Sequence, residues 1–226
     1  MHTEWLYHQQ WKERNGMAMK TISKNTIKRL PVYLNFLKHL PKEQMHVSAT
    51  LIAEGLKLGD VQVRKDLAAV SGEGRPKTGY DRLKLIETLE DFLGYGDVKD
   101  AVIVGVGKLG MALFGYEKFS DYGLNISAAF DSDINKIGTV YGDKKIYHID
   151  EFAEYCMRTK VKIGIITAPA DAAEDVCRLM LDCGIRVIWN FAPVYLSVPE
   201  GVHVHNENMA VSLAILAGHL SDMPEE

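Results

Sequence analysis

Three glycines and one acid carry the clearest chemistry in this chain. Gly105, Gly107 and Gly110 stand at G-x-G-x-x-G spacing, with Val106, Lys108 and Leu109 between them, and Asp131 follows 21 positions after the last glycine. Gly105 permits a tight turn, Gly107 lets backbone approach a pyrophosphate, and Gly110 lets a helix pack closely on a strand. A helix starting at this turn directs its free N–H groups and positive dipole end at phosphates. Asp131 is then placed to accept hydrogen bonds from an adenosine ribose. The set reads as a dinucleotide site.

The flanking sequence supplies the elements such a site needs. Residues 101–104 are an apolar run of buried-strand length, 109–114 continue with helical periodicity, and 125–130 form a β-rich run ending at the acid. Beyond Asp131 the alternation persists, with strands at 145–148, 161–166 and 186–189 and helices at 149–157 and 171–183, the latter closed by Gly184. This order predicts an α/β Rossmann-type parallel sheet with right-handed crossovers. Ligands of such sheets lie beyond the strand C-termini. Thr167, Ala168 and Pro169 should therefore face the glycine turn together with Asn190, Phe191 and Ala192. Phe191 reads equally well as a ring stacked on a nicotinamide and as plain core. Histidine alternates with valine at 202–205, but without a third ligand this is a strand edge rather than a metal site.

Composition sets the frame. The chain has 226 residues, 47% hydrophobic and 25% charged, as in ordinary globular proteins. No apolar run reaches the ~18 residues a membrane span requires, and the first twenty residues lack signal-peptide order; a cytoplasmic protein is expected. Cys156, Cys177 and Cys183 are odd in number and not at zinc-ligand or C-x-x-C spacing, so they read as buried, reduced thiols. The net charge of −4 hides an asymmetry. Residues 21–85 carry 12 Lys+Arg against 6 Asp+Glu, whereas 86–226 carry 11 against 22. A basic front and an acidic back suggest two modules, the front one facing a polyanion.

Residues 1–20 show no periodicity and read as a mobile extension. In the front module Pro31 suits the first turn of a helix, with Val32, Tyr33, Phe36, Leu37 and Leu40 as its apolar stripe. Ser48 is placed to cap a second helix over 49–56, with Val47 and Ile52 as a hydrophobic staple. Asp60 is placed to cap a third helix through Val70, whose Val63, Leu67 and Val70 turn inward. Two short helices joined by a glycine turn fit a helix-turn-helix. Arg64 has the donors to pair with guanine and Gln62 those to read adenine; alternatively Arg64, Lys65 and Asp66 form one solvated charged turn. The loop 71–80 is rich in glycine, with Arg75 and Lys77 at its tip, as in the wing of a winged helix, and Asp81 should cap a fourth helix ending near Gly94. From residue 206 an amphipathic helix with Met209, Leu213, Leu216 and Leu220 apolar could dock on a second subunit or on its own domain.

Across residues 21–222 the chain resembles the Rex family of redox-sensing transcriptional repressors. The resemblance rests on KRLPVYLNFLKHL, VRKDL at 63–67, Gly79-Tyr80-Asp81, GVGKLG at 105–110, FDSD…KIG at 130–138, GIITAPADAAEDV at 164–176 and NFAPVYLSVPEGVHVHN at 190–206. It implies a winged-helix domain over 21–94, a Rossmann-like NAD(H)-binding domain over 97–205, and a dimerisation helix over 206–222 swapped between subunits of a homodimer. It also implies that NADH lowers affinity for a palindromic operator in double-stranded DNA. Carried over by residue, Gly105–Gly110 hold the pyrophosphate and Asp131 the ribose. Lys136, Ile137 and Gly138 border the adenosine end, while Asn190, Phe191 and Ala192 line the nicotinamide side. Arg64 and Lys65 meet the major groove and phosphates, with Arg75 and Lys77 on the wing; Ser48 and Gln62, from the helix reading, join them as candidate DNA-binding residues. Two departures stand out: the wing reads AAVSGEGRPKTG, and Asn208 occupies a position where members commonly carry aspartate.

Two other functions are open to the sequence. An NAD-dependent dehydrogenase would need an acid/base with an orienting partner, for which Tyr195 and His148 are the nearest candidates. A sensor of acyl-CoA or another nucleotide would use the same sheet.

Overall fold

The computed structural model describes residues 22–76, 78–207 and 209–221. The expected extension over 1–20, Lys77 and Asn208 lie outside the described residues, as does the side chain of Leu220. The chain divides into two units, Met1–Val98 and Lys99–Glu226.

In the first unit, helix α1 (Lys24–His39) starts where Ser23 Oγ accepts the Thr26 N–H at 3.1 Å. Pro31, expected in a first turn, lies instead inside this helix. The capping serine and a buried stripe of Thr26, Leu30, Tyr33, Leu34 and Leu37 extend the helix upstream, and the packing of that face outweighs the N–H that proline lacks. Val32 falls off the stripe and is exposed. Helix α2 (Ala49–Leu56) begins as expected, with Ser48 Oγ accepting the Leu51 N–H at 3.0 Å and with Val47 and Ile52 both buried.

Helix α3 (Asp60–Ser71) is preceded by Gly59 in the capping position, so Asp60 is its first residue rather than its cap. The Asp60 carboxylate is turned elsewhere, accepting the Thr50 hydroxyl of α2 at 2.8 Å. Strand β1 (His46–Val47) pairs antiparallel with β2 (Tyr80–Asp81), and Asp81 Oδ1 caps α4 (Arg82–Leu93) through the Lys84 N–H, as expected. Arg75 and Gly79 exchange two backbone hydrogen bonds of 2.8 Å, closing the wing hairpin. One core holds these elements together, centred on Leu30, Tyr33, Ile52, Val63, Leu67 and Leu89.

The second unit is built on β3 (Lys99–Val104), β4 (Leu124–Asp131), β5 (Val140–Tyr141), β6 (Lys144–His148), β7 (Ile163–Ile166), β8 (Val187–Asn190) and β9 (His203–Asn206). Helices α5 (Lys108–Phe114), α6 (Phe152–Thr159) and α7 (Ala173–Asp182) connect them, and α8 (Met209–Ser221) follows. The strand order is β5-β6-β4-β3-β7-β8-β9, parallel throughout except where the short β5 folds back on β6. Chain progression therefore reverses direction at β3, and this switch point opens a crevice beyond the C-termini of β3 and its neighbours. Both faces are covered. Val102 and Val104 join Phe130, Phe152 and Met180 on one face, while Ala101 and Ile103 join Phe114, Ile126 and Ile165 on the other.

Helix α8 differs from expectation. Its Met209, Val211, Leu213, Ile215 and Leu216 are 52–65% exposed and fall on more than one face, so it is apolar around its circumference rather than amphipathic. No helix among the described residues is long and apolar enough to cross a membrane.

Candidate dinucleotide-binding and nucleic-acid-binding sites

The three glycines of the second unit have separate structural reasons. Gly105 sits at φ +97°, and a Cβ there would lie 2.7 Å from the Ala168 nitrogen. The turn is thus pressed against the loop after β7, where the Thr167 hydroxyl donates to the Gly105 carbonyl at 2.6 Å. A Cβ on Gly110 would collide with the Gly105 carbonyl oxygen, so glycine is what lets α5 approach β3. At Gly107, which heads α5, a Cβ would meet nothing within 4 Å. Packing within the chain does not require glycine at 107; the open space in front of it is a cradle that a side chain would partly fill.

Asp131 closes β4 beside this turn. Its Oδ2 accepts the Val106 N–H at 2.6 Å and the Lys136 ammonium at 3.0 Å, and its Oδ1 accepts the Asp133 N–H at 2.9 Å. Burial alone would raise its pKa, but the Asp133 and Val106 N–H groups and Lys136 outweigh it and hold the carboxyl below the usual range. The acid is ionised at neutral pH, and it braces the glycine turn through the Val106 N–H. An adjoining cavity of about 580 Å³ is lined by Val106, Gly107, Lys108, Met111, Lys136 and Thr139 among others. Leu109 and Ile137 are partly buried, and Gly138, at φ +80°, donates its N–H to Ile146.

At the C-terminal end of β8 the Asn190 side chain turns inward. Its side chain is fully buried, donating to Val194 O at 2.9 Å and Asn206 Oδ1 at 2.8 Å while accepting the Ala192 N–H at 3.0 Å. With its amide consumed in this way, Asn190 braces the loop that presents Phe191 and Ala192. Ala192 and Ala168 are buried, Pro169 is exposed, and the Phe191 ring packs on Trp189 at 4.8 Å. His148 caps the turn at Ile149, and Tyr195 is 85% exposed. The three thiols are free; burial pushes Cys156 up to about 12 and raises Cys177 and Cys183. No cluster of His, Cys, Asp and Glu among the described residues is arranged to hold a metal.

In the first unit Ser48, Gln62, Arg64, Lys65 and Arg75 all line one concavity of about 1190 Å³ between α3 and the wing. Arg64 Nη2 donates to Asp60 Oδ2 at 2.7 Å, and Gln62 Nε2 donates to Asp66 Oδ1 at 3.0 Å. Asp66 is not part of a solvated turn. Its side chain is 2% exposed and also accepts from Arg29, Tyr33 and Thr26 of α1. Its position, three residues after Val63 and four before Val70, lies on the inward stripe, which is the signal by which the sequence could have revealed it.

Comparison with known proteins follows the same division. Residues 97–194 match the family model "CoA binding domain" and residues 21–68 match "Putative DNA-binding protein N-terminus". The redox-sensing transcriptional repressor Rex of Treponema denticola is 38% identical over 192 residues, 84% of this chain and 91% of that protein. The same-named protein of Desulforamulus reducens is 39% identical over 206 residues, 91% and 98% of the two chains. Among solved structures, RSP in complex with β-NAD+ and operator DNA has a TM-score of 0.83 at 29% identity, covering 90% of this chain and 94% of that one. RSP in complex with β-NADH has a TM-score of 0.79 at 29% identity, covering 90% and 96%.

Proposed function

The chain belongs to the Rex family of redox-sensing transcriptional repressors, and we propose from this premise the residues through which it works. It is a DNA-binding repressor rather than an enzyme, and its ligand is NAD(H). The backbone of Gly105, Val106, Gly107, Lys108, Leu109 and Gly110 holds the pyrophosphate, with Lys108 adding a cation. Asp131 takes the adenosine ribose, Lys136, Ile137 and Gly138 border it, and Thr167, Ala168, Pro169, Phe191 and Ala192 line the nicotinamide side. When bound, the cofactor supplies a nicotinamide whose charge and planarity change between NAD+ and NADH. The DNA face is Ser48, Gln62, Arg64, Lys65 and Arg75.

The observation that supports this reading is the ionised Asp131 bonded to the Val106 N–H, which holds the carboxylate proposed for the ribose against the turn proposed for the pyrophosphate. It also ranks the ligands. NADPH carries a 2′-phosphate and coenzyme A a 3′-phosphate on the same ribose, and either anion would face the Asp131 carboxylate. Calorimetric titration is expected to give NADH an affinity at least ~10-fold above NADPH and coenzyme A, consistent with a charge-assisted ribose hydrogen bond of about 1.5–3 kcal/mol. Comparable affinities would remove Asp131 from the site.

The exposed apolar α8 supports a homodimer in which this helix packs on, or swaps into, the second subunit. Two wings and two α3 helices would then meet half-sites one helical turn apart on a palindromic operator. NADH acts by population shift, favouring a dimer arrangement in which the half-sites are no longer matched; a ~100-fold preference for that arrangement is about 2.7 kcal/mol.

A further inference from the structure

We infer that Asp60 is a positioning residue for base readout: anchored by Thr50, it clamps the Arg64 guanidinium toward a base and keeps it off the phosphates. The inference rests on the reading of the first unit as the DNA-binding module.

Both carboxylate oxygens of Asp60 are engaged. Oδ2 accepts Arg64 Nη2 at 2.7 Å across one helical turn, and Oδ1 accepts the Thr50 hydroxyl at 2.8 Å from the preceding helix. Arg64 is therefore tied through Asp60 to α2 as well as to α3. Thr50 and Arg64 both line the concavity between α3 and the wing. Gln62 is held by the same device, its amide bonded to Asp66 four residues on. Lys65, next to Arg64, has no ion-pair partner among the described residues. Helix α3 thus separates two clamped side chains suited to base edges from an unclamped ammonium suited to a phosphate.

An exposed i,i+4 ion pair adds little to stability, so its consequence lies in where it holds the arginine. The clamp uses a single N–H of the five that a guanidinium carries, leaving the rest to form a bidentate pair with guanine O6 and N7. An arginine already oriented loses less freedom on contact. A carboxylate beside a polyanion also disfavours poses in which the arginine deserts it for a phosphate, because the acid would then be left unpaired against like charge. Asp60 thus lowers binding to arbitrary duplex while sharpening preference for one base pair.

The test uses the full chain. A duplex is selected from a randomised pool with the native protein, and affinities for it and its single-base-pair variants are measured across a salt series. The proteins are native, Arg64→Ala, Asp60→Ala and Thr50→Val, with folding checked by thermal melting. Arg64→Ala locates the base pair read by Arg64, where the native chain should discriminate by about 5- to 150-fold. In Asp60→Ala that discrimination should fall below ~3-fold while affinity for random duplex rises. The slope of log K against log salt should steepen by about 0.9 as Arg64 takes a phosphate. Thr50→Val, which leaves the acid in place, should fall between the two. Native discrimination and an unchanged slope in both variants overturn the inference while leaving DNA binding intact. A native chain that enriches no sequence overturns the DNA reading and the inference together.

Discussion

Arg29 grips Asp66 through two parallel hydrogen bonds, Nε to Oδ2 at 2.7 Å and Nη2 to Oδ1 at 2.9 Å. The pair joins α1 to the helix proposed to read DNA, and Tyr33, Thr26 and Gln62 complete the shell around the carboxylate. A buried acid satisfied on both oxygens fixes the rotation of α3 about its axis, which apolar packing of Val63 and Leu67 alone leaves looser. Orientation of the reading face is thus set from beneath.

The hub has a pH signature. Burial alone would raise the Asp66 pKa, but hydrogen bonds from Arg29, Tyr33 and Thr26 outweigh it and bring it below the ordinary 3.8. Its contribution to stability is therefore full above that ordinary value and is lost as pH falls through the lowered one. Tyr33 shows the opposite sign. Its hydroxyl is pushed up to about 12 by burial and by donating to Asp66, so its contribution is full below pH 10 and is lost as pH rises toward 12. Asp66→Asn should destabilise the first unit by about 3 kcal/mol, the low end for breaking a buried pair because Arg29 is partly exposed. It should also remove the hub's acid-side dependence. Hydrogen exchange on α1 and α3 across pH checks both; native protection in the variant would contradict them.

Two glycines of the same turn should respond differently to one methyl. Gly110→Ala puts a Cβ into the Gly105 carbonyl and should shift α5, lowering the melting temperature and cofactor affinity together. Gly107→Ala meets no neighbour within 4 Å in the free chain, at a backbone φ of −78° that alanine adopts freely. It should melt as the native chain does yet lose NADH affinity by roughly 10-fold or more, since the methyl occupies the approach of the pyrophosphate. Melting and NADH titration on both variants separate the cases; undiminished binding by Gly107→Ala would show that the cradle is not used.

Much of this was legible in advance because local signals and tertiary packing agreed. The Gly105–Gly110 turn, the acid at 131, the Ser48 and Asp81 caps and the sheet alternation all emerged from spacing alone. What escaped depended on long-range partners. Pro31 marked a first turn by local rule, yet Ser23 capped the helix upstream and its apolar face carried it through the proline. By spacing Asp60 reads as a cap, but Thr50 takes its carboxylate, and the alternative of a solvated turn fails at Asp66 because Arg29, 37 positions away, reaches it. The bonds of the Asn190 amide to Val194 and Asn206 likewise depend on partners that spacing does not bring together.

Helix α8 should be the seam of the assembly. Leu213 and Leu216 are 65% and 63% exposed, a cost that a second subunit would relieve. Leu213→Asp with Leu216→Asp should convert a dimer to a monomer in sedimentation experiments. Operator affinity should fall with it, by roughly 100-fold or more once the two half-sites are bound independently. A dimer that survives both acids would place the interface elsewhere.

The central claim is that cofactor in the second unit governs DNA binding by the first. Fluorescence anisotropy of a labelled operator, with total nicotinamide nucleotide constant and the NADH fraction rising, tests it most directly. Bound operator should be released as NADH replaces NAD+ and retained in NAD+ alone. Anisotropy that stays constant to saturating NADH, with NADH binding verified in the same sample, would contradict the coupling.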